Sequence, residues 1–243
     1  MHPAPAALNT KRLIIVLLAV TIVWLLTLVW RAGWASINYF QVQHWLYQWN
    51  RDSSQLTETQ FQAADAAMHK VLQLEPAHPH YLLMMAKVQE WGWFKGYLAS
   101  EQMAGVEQYY QEAIRLRPAW AAAYADYAWY LASVQFRLTD AFAQIALAKQ
   151  YGPYLDDVQH RTLAVAFSRW NYLTVQQKAV AYQTLAQVVA SPHAIYGKTL
   201  ALVRNYQMQR LGCIYLRTQL RQAAPFVEQR VQRDFCRPNQ PKS

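Results

Sequence analysis

Five sets of residues in this 243-residue chain have types and spacings that could do chemistry. Cys213 and Cys236 are the only cysteines, and in an oxidising compartment two such thiols can close a disulfide. The other use is as buried or free thiols. With no CxxC pair, neither a metal nor a redox site is suggested. His78 and His80 flank Pro79, and two imidazoles this close can ligate a metal, although a lone His-x-His in a turn is more often solvated. Asp156 and Asp157 stand where a helix should start after Pro153, at the end of the dipole that favours carboxylates. No further acid converges on them for acid/base work. The chain has no glycine-rich phosphate loop, GxSxG elbow, HExxH pair or kinase set. The expectation is therefore no catalytic residue, no metal site and no cofactor: a protein that binds rather than turns over.

Two sets suit binding. Trp91, Trp93, Phe94 and Tyr97 cluster in WGWFKGYLASEQ, and flat rings with polar edges fit a protein partner or sugar faces. Packing between helices is the alternative use. Arg217, Arg221, Arg230 and Arg233 belong to a strongly basic end: from Lys198 onward nine lysines or arginines face only Glu228 and Asp234, so this stretch carries +7 of the chain's +9. Such a field attracts anionic lipid head groups, an acidic glycan or an acidic protein, or it simply keeps a face solvated.

The elements that must position these residues are helices. Leu13 to Trp30 reads LIIVLLAVTIVWLLTLVW, eighteen residues without a charge or proline, about 27 Å of helix and enough to cross a bilayer. Lys11 and Arg12 precede it, while Trp24, Trp30 and Trp34 supply indoles in or near its outer boundary. The charge bias leaves residues 1–12 in the cytoplasm and exports the body, which excludes nucleic acid as a partner. A cleaved signal is the competing reading, with Gly33 to Ser36 as its small-residue site, but the apolar run exceeds the usual signal core. Beyond residue 35 about 200 residues remain, one ordinary domain or one short array. Seven glycines and an abundance of Ala, Leu, Gln and Arg predict an all-α body. An aromatic connecting helix is expected over 31–56, then a helix from the Thr57 cap to Leu74 and its partner from about His80 to Trp91.

The pattern recurs around three prolines: LQLEP at Pro76, IRLRP at Pro118 and KQYGP at Pro153. The first two follow one amphipathic run and precede another, the mark of a helical repeat array. Residues 57–170 resemble tetratricopeptide repeats. The resemblance is carried by Ala64, Met68 and Val71 before Pro76, with Leu82, Met85 and Ala86 after it. Tyr110 and Ala113 precede Pro118, followed by Tyr124, Tyr127 and Ala128. Ala141, Ile145 and Ala148 precede Pro153, followed by Leu163, Ala164 and Phe167. The prolines are 42 and 35 residues apart, so the family's 34-residue period is broken by an insertion in or near WGWFKGYLASEQ. The resemblance implies antiparallel helical hairpins stacked as a solenoid. Residues 171–233 read as a divergent repeat or capping helices, with Thr174 as N-cap, and 234–243 as a flexible tail.

The layout as a whole, a short basic tail, one anchor, an exported helical-repeat body and a basic end, is similar to small membrane-anchored proteins of bacterial exopolysaccharide clusters, of the VpsP type. That resemblance implies an inner-membrane protein whose periplasmic body scaffolds envelope biosynthesis or export proteins. An anionic glycan-binding module is the second expectation, and a cryptic enzyme the third.

Overall fold

The computed structural model describes residues 10–192, 195–221 and 223–237; the expected cytoplasmic tail to residue 9 and the tail from 238 lie outside them. All regular structure among these residues is helical. Helix α1 (Thr10–Arg51) is followed by α2 (Glu58–Leu74) and α3 (Pro79–Phe94) in a first compact unit that closes at Gln102. A second unit begins at Met103 and contains α4 (Val106–Leu116), α5 (Ala121–Ser133), α6 (Leu138–Tyr151), α7 (Asp156–Ser168), α8 (Val175–Ala190), α9 (Ile195–Asn205), α10 (Gln209–Gln219) and α11 (Pro225–Arg230). A wide, π-type turn, Val231–Cys236, extends α11. The single array expected from sequence thus divides into two compact bodies, and the division falls just after the insertion that breaks the repeat spacing.

In the first unit α1 has two distinct halves. From Leu13 to Trp34 every side chain is exposed, and the helix is long and apolar enough to cross a membrane. From Ala35 onward a stripe of Ala35, Val42, Leu46 and Trp49 is buried, a helical spacing that turns one face toward α2 and α3. The helix continues without a break between these halves, so the expected anchor and connecting segment form one rod. Arg31 reaches from this rod to donate to the carbonyl oxygen of Leu74 at 2.6 Å, satisfying an orphan acceptor at the end of α2. The rod ends where Asp52 accepts from the backbone N–H of Ser54. Thr57 then caps α2 by accepting from Gln60 N–H. Gln60 does not complete a capping box, because its side-chain oxygen accepts from the indole of Trp49 at 3.4 Å.

The three prolines impose one local geometry. A residue before proline is driven out of the helical region by the pyrrolidine ring, and Glu75, Arg117 and Gly152 adopt nearly the same backbone, with φ/ψ of −135/72, −138/78 and −160/66. Twelve, eight and five residues before each proline stand Ala64, Met68 and Val71; Val106, Tyr110 and Ala113; and Ala141, Ile145 and Ala148. All nine are buried. Within the second unit the packing repeats with a period of two helices: α5 lies against α4, α6 and α7, and α7 against α6, α8 and α9.

Beyond α7 the expected cap holds and one expected helix divides. Thr174 accepts from Gln177 N–H while Gln177 accepts from Thr174 N–H, a complete capping box for α8. The stretch IYGKTLALVRNYQMQRLG, expected to be one helix, splits into α9 and α10. The chain turns at Gln207, which takes a left-handed φ of 55°, while Met208 N–H bonds back to Val203 and its side chain is buried in the terminal core. Burial of that thioether outweighs the cost of a non-glycine residue in the left-handed region.

Candidate functional site

The aromatic cluster is placed at the end of α3 rather than in a loop. The helix runs through Phe94 and stops only where Gly96 takes φ 78°, with Gly96 N–H bonded to Trp93 O and Tyr97 N–H to Gly92 O. Trp91 packs edge-on against Trp49 of α1 and against Phe94. Trp93 donates its indole N–H to Ser100 Oγ at 3.3 Å, and Tyr97 donates its hydroxyl to Leu56 O at 3.2 Å. Gly92 lies so close to the Phe61 ring that a Cβ there would sit 2.4 Å from it. Three of the four rings are therefore half-buried in internal packing, and Phe94, 64 % exposed, is the one that faces solvent. The expectation of an aromatic surface from Trp91 to Tyr97 reduces to this residue, because insertion residues that carry the helix onward meet α1 and α2.

The four arginines also separate. Arg230 donates to the carbonyls of Val189 at 3.1 Å and Ser191 at 2.6 Å, ending α8, and its guanidinium lies 4.2 Å from the centre of the Tyr196 ring. Arg233 binds Asp234 through two nitrogens, at 3.0 and 2.6 Å, while Tyr196 donates to the same carboxylate at 2.6 Å. Burial works to raise the pKa of Asp234, but the hydrogen bonds from Arg233 and Tyr196 and the nearby positive charges outweigh it and hold the carboxyl below its usual range. These two arginines act as internal fasteners of the terminal core.

Arg217 in the last turn of α10 and Arg221 in the turn just beyond it are both exposed, with no hydrogen-bond or ion-pair partner among the described residues. They line a cleft of about 520 Å³ together with Thr218, Glu228 and Gln232, over a floor that includes Leu216 and Val231. Cys213 borders the same cleft and is bonded to Cys236, with Cα atoms 5.0 Å apart, so one disulfide ties α10 to the terminal turn. Gly212 makes that approach feasible, since a Cβ there would meet the Phe235 ring at 2.8 Å. Opening the bridge releases a loop of about 24 residues, and reduction or Cys213→Ser is expected to cost about 3 kcal/mol in the loop-entropy model. Denaturant unfolding with and without reductant measures it; equal midpoints would show that the bridge contributes nothing.

The sequence reading missed an ion pair on the second unit. Asp126, 7 % exposed, sits within α5 and accepts from Arg161 Nε of α7 at 2.8 Å, and the guanidinium also lies 5.4 Å from the Trp129 ring centre. The signal was present: a lone carboxylate inside AAAYADYAWYLAS must find a partner if the helix is buried, and Arg161 lies 35 residues on, the same interval that separates Pro118 from Pro153. His160 is beside this pair. Burial lowers its pKa, and the positive charges of Arg161 and Lys198 lower it further, against an opposing effect of Asp157.

A depressed histidine pKa means the folded state takes up its proton later than the unfolded chain does. Stability from this group is therefore complete above the unfolded value of about 6.5 and is lost as pH falls through the lower folded value. The second unit should lose stability on acidification below about pH 6.5, and His160→Gln should flatten that loss in melts recorded between pH 7 and 5. An unchanged profile in the variant would assign the loss to other groups. His78 and His80 have ring centres 5.8 Å apart, but His78 stacks on Tyr81 at 4.0 Å, and no third ligand joins them among the described residues.

These features define an all-helical protein with one long, apolar N-terminal helix and a disulfide-closed C-terminal end carrying a basic cleft. Comparison with family models, curated proteins and solved structures finds no match.

Proposed function

We propose that this protein is a membrane-anchored helical-repeat scaffold whose body holds together components of an envelope biosynthesis or export machine, with exopolysaccharide assembly as the process. The observation that carries the reading is the continuity of α1. Its first half is apolar on every side and its second half is packed into the first hairpin, so a membrane segment and that hairpin move as one piece. The charge bias around the apolar segment favours a cytoplasmic N-terminus and a periplasmic body. The recurring pre-proline turns and the two-helix packing period support a tetratricopeptide-like array, an architecture that presents extended surfaces to other chains. Exposed Phe94 is the protein-contact candidate.

Cross-linking in intact cells, followed by affinity purification and mass spectrometry, tests this directly. Recovery of glycosyltransferases, a polymerase, a flippase or export components with the full chain, and not with one lacking residues 1–30, supports the scaffold. Recovery of no specific protein would overturn it.

A further inference from the structure

We infer that the cleft between α10 and the α11 end binds a carboxylate-bearing sugar unit, such as a uronic acid residue of an anionic polysaccharide. The inference goes beyond the scaffold reading and does not depend on which proteins assemble around the chain.

Arg217 and Arg221 bring two guanidinium forks to the same cleft, neither engaged by a described group, in a chain where Arg230 and Arg233 have internal partners. Planar forks match planar carboxylates, and such charge-assisted bonds are stronger than neutral ones. Glu228 also lines the cleft and selects among anions. Two cations against one carboxylate leave a single positive charge in excess, which suits a monoanion better than a phosphate dianion. An ionised Glu228 can only accept hydrogen bonds, so the ligand must bring donors beside its negative charge. Sugar hydroxyls are such donors, and in a uronic acid they stand on the same ring as the carboxylate. Thr218 and Gln232 can both donate and accept and complete a lining suited to hydroxyl groups. The volume of about 520 Å³ lies within the range of small-ligand clefts. The Cys213–Cys236 bridge holds one wall to the terminal turn, so the site is assembled before the ligand arrives.

The test is calorimetric titration of the full chain in detergent with trigalacturonate, with maltotriose as neutral control, and with inorganic phosphate and phosphatidylglycerol–phosphatidylcholine vesicles as other anion sources. The expected result is salt-sensitive binding of trigalacturonate and none of maltotriose. Arg217→Gln/Arg221→Gln should weaken binding by at least about tenfold, the scale of losing charge-assisted donors. Arg210→Gln/Arg237→Gln, which removes the same charge from exposed positions outside this cleft, should change it by less than about twofold. Circular dichroism checks that both variants keep their helices. Equal weakening by the two pairs would reduce the effect to net charge and overturn the site. So would absence of trigalacturonate binding, or binding of phosphate or vesicles alone with dependence on Arg217 and Arg221. Partner recovery in the cross-linking experiment can succeed or fail independently of any of these outcomes.

Discussion

Replacing Trp49 by alanine is expected to destabilise the first unit by about 3–5 kcal/mol, the range for removing a large aromatic from a packed core. Trp49 is 1 % exposed; its ring meets Trp91 edge-on with centroids 6.3 Å apart, and its indole N–H reaches Gln60. One side chain thus joins α1 to both α2 and α3. The apolar half of α1 is untouched by the change, so the protein should still fractionate with membranes while α2 and α3 become sensitive to protease. Denaturant melts in detergent micelles and limited proteolysis of membrane vesicles read the two effects separately. Wild-type protease resistance in the variant would mean that the rod and the hairpin are not coupled through this residue, and would remove the main structural support for a first unit held to its anchor.

The second large effect concerns Asp126. Asp126→Ala leaves Arg161 without its carboxylate between packed helices, and breaking such a pair from one side typically costs about 3–5 kcal/mol. Because the Arg161 side chain is about 30 % exposed, water can partly solvate the orphaned cation, which places the expected loss near the lower end. The pair should be far less costly to replace than to break. Asp126→Leu/Arg161→Met, which fills the same space with apolar atoms, is expected to recover most of the stability. Failure of the double variant to recover would show that the ion pair determines which arrangement of α5 and α7 is adopted. It would then be more than a local contact.

Much of the secondary structure was legible because it is punctuated locally. Thr57 and Thr174 accept from the backbone three residues ahead, Asp156 opens α7, and prolines 76, 118 and 153 end helices through a clash with their own preceding residue. None of these needs a distant part of the chain. The same holds for burial along the repeats, where spacing before each proline identifies positions that a helix must turn to one face. Reading Trp91, Trp93, Phe94 and Tyr97 together as a binding surface was not settled locally, for the opposite reason. Whether those rings face water depends on Trp49, Phe61 and Leu56, which arrive from other elements.

The sequence alone therefore determined the helical class, the long apolar front helix, the turns at the three prolines and the concentration of positive charge at the end, because these follow from periodicity, backbone sterics and composition. Only the tertiary structure decided that Trp91, Trp93 and Tyr97 are half-buried, that Arg230 and Arg233 are fasteners while Arg217 and Arg221 are free of described partners, and that Asp126 meets Arg161 across two helices. The physical reason is that the availability of a ring or a charge is a property of what packs against it. Contacts made by residues 35 or more positions apart leave no local signature beyond a polar group in an apolar run that must find a partner.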